Sequence, residues 1–280
     1  MCMSMQKELT SEPSMAIRCF VATVIAASTP PLLAIPEYKW LGWILLSIGA
    51  IVPLLTHRTR FGRHMLLLVS MLALLGLVPI DTTITYYHIF IMGGLLALTI
   101  AIPYFVARDW FKEKLLITFP FRTGRKWYRK EIGYILFAGA ASYLLIPYYL
   151  GTTGSYLNWG VTLEPSFIAR LFLGTNGLGI WDELFFVGIC LALLRHHIPF
   201  IWANLAQATM WTAFLYELGF RGWGPIPIFI FALSQGIVFR KTKSLLYIVT
   251  IHLTIDFVLF LTLIHLNHPE YLRIFITSPF

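Results

Sequence analysis

Apolar runs close to twenty residues long recur along almost the whole chain, and no other feature limits the fold more strongly. A helix needs about 20 apolar residues to cross roughly 30 Å of hydrocarbon. The sequence therefore predicts an all-α, polytopic integral membrane protein with about nine transmembrane helices, and with a candidate interfacial helix at 166–176. The predicted spans lie at 16–35, 40–55, 64–80, 86–106, 131–150, 177–195, 201–220, 225–239 and 244–264.

The composition excludes a water-soluble enzyme. Of the 280 residues, 58% are apolar and only 12% are charged, whereas about 25% are charged in a typical soluble domain. So few charged side chains cannot cover a domain of this size. The 21 Lys and Arg residues outnumber the 13 Asp and Glu residues, an excess typical of cytoplasmic loops in membrane proteins. We therefore expect the lipid bilayer as a partner, and no nucleic acid.

The basic residues also predict an orientation. If the N-terminus is cytoplasmic, the basic loops all fall on the cytoplasmic side, as the positive-inside rule requires. The chain would then end outside, in an arrangement that suits a bacterial inner membrane, and a reporter fused after Phe280 would test this. The basic loop residues are Arg58, Arg60, Arg63, Arg108, Lys112, Lys114, Arg122, Arg125, Lys126, Arg129, Lys130, Arg195, Arg240, Lys241 and Lys243.

Five ionisable residues inside the predicted spans need an explanation, because a charge in the bilayer costs several kcal/mol. Asp182 and Glu183 lie in the sixth span, Glu217 in the seventh, and His252 and Asp256 in the ninth. His252 and Asp256 share one helical face because they are four residues apart.

These residues are predicted to lie at similar depths. At 1.5 Å per residue, Asp182 and Glu183 fall about 18–20 Å from the cytoplasmic end of their span, and Asp256 falls about 18 Å from the end of its own. His252 comes at about 12 Å and Glu217 at about 24 Å by the same rise. If the three helices touch, several carboxylates and an imidazole share one buried site.

Such a cluster could support acid–base chemistry. Carboxylates crowded into a low dielectric repel one another, so one of them could act as a general base for water. The imidazole could bind a metal or donate a hydrogen bond to an oxyanion. Proton relay in a transporter uses the same residue types, and so does structural pairing between helices. Glu217 could instead pair with Arg221 one turn on. His196 and His197 are expected to be solvated.

The last hundred residues resemble the CPBP superfamily, which includes the type II CAAX prenyl endopeptidases, bacteriocin-processing and immunity proteins, and the ABI domain. That family has Glu-Glu-x-x-x-Arg-Gly in one helix, Phe-x-x-x-His in the next, and His-x-x-x-Asn or Asp in a later one. Asp182-Glu183 to Gly188 is similar to the first motif and His252 to Asp256 to the last. The stretch from Gly236 through Arg240 to Ser244 is similar to the family's sequence ahead of the final motif.

The resemblance implies a division of the chain and a reaction. Residues 131–280 would form a CPBP-like membrane domain, with the motifs in 177–262, whereas 1–130 holds N-terminal transmembrane helices and a basic loop without a motif. The family is an intramembrane endopeptidase family. By position, Asp182 and Glu183 would activate water, and His252 with Asp256 would stabilise the oxyanion or hold one divalent metal such as zinc. The substrate would be a membrane-associated peptide or protein.

Two departures from the family pattern leave the activity open. Val187 stands where the family has Arg, and the middle motif has no histidine, because Phe214 or Leu215 falls at that position. Glu217 is a candidate substitute. The alternatives are a catalytically degenerate family member acting as a membrane scaffold, regulator or immunity protein, and a proton-coupled transporter. Restoring Arg at Val187 and His at Phe214 or Leu215 would separate a degenerate protease from an active one.

Overall fold

The described part of the chain folds into nine long helices. A computed structural model describes residues 11–78, 80, 82–121 and 124–279, so Arg122 of the basic loop and Phe280 lie outside the described part. Within these ranges the regular structure is entirely helical. The helices are α1 (Met15–Ala34), α2 (Pro36–Leu55), α3 (Arg60–Leu77), α4 (Tyr86–Trp110), α5 (Arg129–Thr153), α6 (Pro165–Arg195), α7 (Phe200–Glu217), α8 (Pro225–Thr242) and α9 (Leu245–Asn267).

Seven of these helices, α1 to α6 and α9, are long and apolar enough to cross a membrane. The prediction of an all-α polytopic membrane protein is therefore confirmed. The helices α7 and α8 form at the positions of the two remaining predicted spans, with 18 residues each. They carry the buried polar side chains Asn204, Gln207 and Gln235. The crossing of the membrane by all nine helices stays a prediction.

The candidate interfacial helix at 166–176 is helical and continues without a break into the sixth predicted span, whereas its interfacial position stays a prediction. Residues Pro165–Arg195 form one continuous helical segment of 31 residues. Pro165 occupies the first turn, where a proline starts a helix without losing a hydrogen bond, and no further proline follows to break it. The polar stretch before residue 177 is therefore the first part of α6.

One end of the helix bundle collects the basic loops. There the Arg60 amide donates to Glu12 Oε1 at 3.0 Å, and the Leu245 amide donates to the carbonyl of Pro120 at 2.9 Å. Glu113, in the loop after α4, lies 3.1 Å from Arg63. These contacts join the loops before α3, before α5 and before α9, so the basic clusters share one end of the molecule.

At the other end of the bundle, the remaining connections between helices contact one another. Asn158 donates to the carbonyl of Gly219 at 3.2 Å, and Tyr149 donates to the carbonyl of Arg221 at 2.6 Å. Arg170, near the start of α6, donates to the carbonyl of Ile84 at 3.1 Å. Because Gly219 and Arg221 connect α7 to α8, these two helices run from the basic end of the bundle to the opposite end and back.

The expectation that His197 is solvated is wrong. His197 is only 6% exposed, and its Nε2 lies 2.8 Å from Nδ1 of His64 on α3. The other nitrogen of His64 lies 3.3 Å from Glu113. The short turn between α6 and α7 thus contacts the N-terminal helices. The basic sequence of this turn did not indicate such a contact.

Candidate active site

A change of helical winding within α6 sets the position of the two acidic residues. Residues Glu183–Leu191 form a π-helix that begins directly after Asp182. Such wider turns occur frequently at functional sites. In a regular α-helix, neighbouring side chains point about 100° apart. In this structure Asp182 and Glu183 nevertheless both lie against the same imidazole ring.

His252 is the centre of the cluster. Its Nδ1 lies 3.2 Å from Glu183 Oε1, whereas its Nε2 lies 3.6 Å from Asp256 Oδ1 and 3.9 Å from Asp182 Oδ2. All four residues are at most 6% exposed. The structure therefore brings the four principal residues indicated by the sequence into one buried group, with carboxylates on both edges of the ring.

Several oxygen atoms of this cluster have no protein partner among the described residues. They are Asp182 Oδ1, Glu183 Oε2 and Asp256 Oδ2. Buried polar atoms usually form hydrogen bonds, and a polar pocket of this kind is where a bound water or a substrate supplies them. The cluster can therefore accept hydrogen bonds from a ligand, as a water-activating site requires.

Two residues that the sequence patterns did not indicate complete the surroundings. Gln235 of α8 donates to Glu183 Oε1 at 2.6 Å and to the carbonyl of Ile248 at 3.2 Å, so it fixes the Glu183 carboxylate against α9. Trp211 of α7 is fully buried, with its ring centroid 5.5 Å from that of His252. The signal that could have indicated them is a polar or aromatic side chain within an apolar span. Gln235 is the one side-chain amide in the run 225–239.

A glycine permits the close approach of α6 and α9 at this depth. A Cβ atom added at Gly179 would overlap the Asp256 carboxylate and would lie 3.2 Å from Cδ2 of His252. On α9, Ser244 caps the helix by accepting a hydrogen bond from the Tyr247 amide at 3.2 Å. The helix start is thus fixed two turns before His252, which sets the height of the imidazole.

The cluster opens into a large cavity between α4, α5, α6, α8 and α9. The cavity has a volume of about 1060 Å³, at the upper end of the range for ligand pockets. Asp182, His252 and Asp256 line it, whereas Glu183 does not, and most of the remaining wall is apolar. A ligand in the cavity could therefore reach Asp182 and His252 directly, but Glu183 only through the ring of His252.

The structure distinguishes the two alignments of the middle motif. Phe214 is fully buried, with its ring 4.7 Å from Trp181 and 5.9 Å from Phe186, away from the cavity. Leu215 instead lines the cavity together with Asp182 and His252. Of the two positions, a histidine would therefore reach the cavity from Leu215, the alignment that sets Trp211 at the aromatic position.

Two further sequence-derived residues lie away from the cavity. Glu217 is at the C-terminal end of α7 and is not among the residues that line the cavity. Val187 is completely buried in the apolar core. An arginine at this position would bring a charge into that core rather than into the site, so restoring the family's Arg there would cost stability.

The cluster does not fit a divalent metal in this arrangement. A zinc site needs three or four donors close to 2.0–2.2 Å from a common point. Here the carboxylates surround the imidazole of His252 at both of its nitrogens, and no group of three or more His, Cys, Asp or Glu side chains in the described ranges could hold a metal ion. The zinc site at His252 and Asp256 stays an expectation from the resemblance.

Comparison with known proteins finds one family model, over the segment that carries the cluster. Residues 164–258, from the start of α6 to the middle of α9, match the family model of Rce1-like type II CAAX prenyl endopeptidases. This match supports membership of the segment in the CPBP family. It contains all four cluster residues and Gln235, and it covers about a third of the chain. The chain matches no curated protein and no solved structure.

Proposed function

We propose that this CPBP-family segment makes the protein an intramembrane endopeptidase, which hydrolyses a peptide bond of a membrane-associated peptide or protein. The observation that carries the proposal is the buried cluster at His252. Asp182 lines the apolar cavity, and Glu183 lies behind the imidazole ring of His252. We further propose a bacterial inner-membrane location with a cytoplasmic N-terminus, for which the basic loops at one end of the bundle are the support.

The two acidic residues have different roles in this mechanism. Asp182 is the general base, because its carboxylate borders the cavity and has a free oxygen for water. Glu183 is a positioning residue: it accepts from Gln235 and lies 3.2 Å from His252 Nδ1, which directs Nε2 of the ring toward the cavity. A carboxylate on one imidazole nitrogen orients the other in the same way in serine hydrolases.

The proposed hydrolysis uses these side chains and water. Asp182 takes one proton from a water molecule while the water oxygen bonds to the carbonyl carbon of the substrate. His252 acts as the imidazolium, with a carboxylate beside each nitrogen: Nδ1–H donates to Glu183, and Nε2–H stabilises the resulting oxyanion by a hydrogen bond. The C–N bond then breaks, and the proton held by Asp182 passes to the leaving nitrogen. The products are a carboxylic acid and an amine, and transfer of the acid proton to the amine gives a carboxylate and an ammonium group. Asp256 lines the cavity one turn from His252, and its Oδ1 lies 3.6 Å from Nε2 of the imidazole ring, which helps to orient the ring.

Mass spectrometry of new peptide termini tests the proposal. Purified protein in lipid nanodiscs is incubated with membrane peptides, beside His252→Ala and a double Asp182→Asn, Glu183→Gln variant. Glu217→Gln is the matched control, because Glu217 lies outside the cavity wall. The proposal predicts cleavage by the wild type and by the control, and none by the two site variants. Identical products from all four folded proteins would contradict it.

A non-enzymatic family member is the second candidate function. It is favoured by Leu215, which presents an apolar side chain to the cavity where the family has a histidine. Loss of an oxyanion donor costs about 10²–10³ in rate. In this case the wild type would produce no new termini, and Leu215→His would create the cleavage that the wild type lacks.

A further inference from the structure

Arg170 is a cation that the proposed peptidase mechanism does not use. It lies at one end of the cavity and is the single Lys or Arg among the described residues that line it. Its Nε donates to the Ile84 carbonyl and its Nη1 to Ser166, and its guanidinium lies 4.4 Å from the ring centroid of Tyr86. No carboxylate of the described residues lies within ion-pair distance of it, and Glu164 is linked to it through Ser166, which donates to Glu164 Oε1. The hydrogen bonds of Nε and Nη1 leave Nη2 of the guanidinium for an anion.

Arg170 lies at the depth of lipid headgroups. The helix α6 has 31 residues, which corresponds to about 46 Å and exceeds the roughly 30 Å hydrocarbon layer. Arg170 is five residues from its start, so it falls in the interfacial layer at the end of the bundle opposite the basic loops. The aromatic ring of Tyr86 beside it is typical of that layer.

The wall beyond Arg170 suits hydrocarbon better than a peptide backbone. Asp182 is twelve residues further along α6, which is about 18 Å, and the wall between them is mostly apolar. An extended peptide of about five residues would span this distance. Its amides would lack partners there, at a cost of several kcal/mol each. Acyl chains carry no such groups and fit this part of the cavity.

The cavity is also accessible from the side. Leu173, Phe137 and Ile230 belong to three different helices and line the cavity, yet they are 68%, 66% and 62% exposed. Apolar side chains this exposed on membrane helices contact lipid. The chains of a lipid could therefore enter between the helices while its headgroup stays at the interface.

We propose that the cavity binds one anionic phospholipid, with its phosphate on Arg170 and its acyl chains along the apolar wall toward the His252 cluster. A guanidinium matches phosphate oxygens in a bidentate geometry. A net negative headgroup is favoured over a zwitterionic one, because the latter brings a second cation beside Arg170. This site is independent of the peptidase proposal, since lipid binding is measured without catalysis.

Native mass spectrometry of the delipidated full-length protein in detergent tests the site. Dioleoylphosphatidylglycerol is the probe, and dioleoylphosphatidylcholine and oleate are the comparison ligands. We expect one tightly bound phosphatidylglycerol per wild-type chain and about tenfold weaker binding in Arg170→Gln. Arg221→Gln is the matched control, because Arg221 is an exposed arginine at the same end that does not line the cavity, and it should bind like the wild type.

A second variant keeps the test valid if Arg170→Gln fails to fold. Gly177 lines the cavity and has open space at its Cβ position, so Gly177→Leu fills the cavity without touching Arg170. It should also lose the tight lipid. Equal binding by wild type, Arg170→Gln and Gly177→Leu would mean surface lipid only and would overturn the proposal. Tighter binding of oleate than of phosphatidylglycerol would overturn the choice of phospholipid.

Discussion

Phe214 and Leu215 are both buried, but only Leu215 borders the cavity, so a histidine at each position should behave differently. Phe214 packs in an aromatic core against Trp181 and Phe186, whereas Leu215 faces the cavity. Phe214→His should therefore destabilise the protein by about 3 kcal/mol or more, and Leu215→His by less than half as much.

Thermal unfolding in detergent measures this difference. Leu215→His should also bring an imidazole into the cavity that Asp182 lines and increase the cleavage rate, while Phe214→His should not. Equal losses of stability in the two variants would contradict the assignment of Leu215 to the position of the family's middle histidine.

The residues of the cluster were predictable, but the links between them were not. Depth along each predicted span was enough to group Asp182, Glu183, His252 and Asp256. The contact of both acidic residues with His252 depends on the π-helix Glu183–Leu191, which apolar periodicity does not reveal. Gln235 was missed because a single amide in an apolar run has no spacing that identifies a partner.

At the scale of the helices, Gly179 controls how closely α6 approaches α9. A methyl group there overlaps the Asp256 carboxylate, so Gly179→Ala should displace Asp256 and His252 and reduce the cleavage rate at least tenfold. Gly174→Ala is the control on the same helix, because the space at its Cβ position is open.

The rates of both variants are compared in nanodiscs, together with their melting temperatures. Gly174→Ala should cleave like the wild type and should be slightly more stable, since alanine is the better helix former. If Gly179→Ala keeps full activity, the close approach of the two helices is not needed for the site.

The turn between α6 and α7 should make the stability of the protein depend on pH. Burial, and then the neighbouring His64, lowers the pKa of His197 from 6.5 to about 3. The folded state therefore stays unprotonated at His197 while the unfolded state gains a proton below pH 6.5. The free energy of unfolding should fall by up to about 1.4 kcal/mol per pH unit between pH 6.5 and 3.

Melting temperatures at pH 7.5 and 5.5 test this dependence. The decrease should be smaller in His197→Gln than in the wild type, whereas the exposed His57→Gln should behave like the wild type. An unchanged decrease in His197→Gln would show that another group causes it.

At the scale of the whole molecule, we predict that α7 and α8 both cross the membrane. Their connection contacts Asn158 and Tyr149 at the end of the bundle opposite the basic loops. In a chain without its three cysteines, Arg221→Cys should therefore react with an impermeant maleimide from the same side as Leu157→Cys. His57→Cys should react from the other side.

The outcome decides between nine crossings and seven. Labelling of Arg221→Cys from the side of His57 would contradict the crossing of α7 and α8. Apolar runs predicted the positions of all nine helices, because burial in lipid or core requires them. Hydropathy could not decide how many helices cross the membrane. The side chains of Asn204, Gln207 and Gln235 lower the hydropathy of α7 and α8, although all three are buried in the protein.

The role of the Asp182 carboxylate is tested most directly by its own substitutions, with cleavage measured in nanodiscs. Asp182→Asn keeps the shape of the side chain but removes the base, and it should lower the rate by about 10²–10⁴. Asp182→Glu restores a carboxylate, as in the family motif, and should recover most of the activity. Cleavage by Asp182→Asn at the wild-type rate would contradict the account.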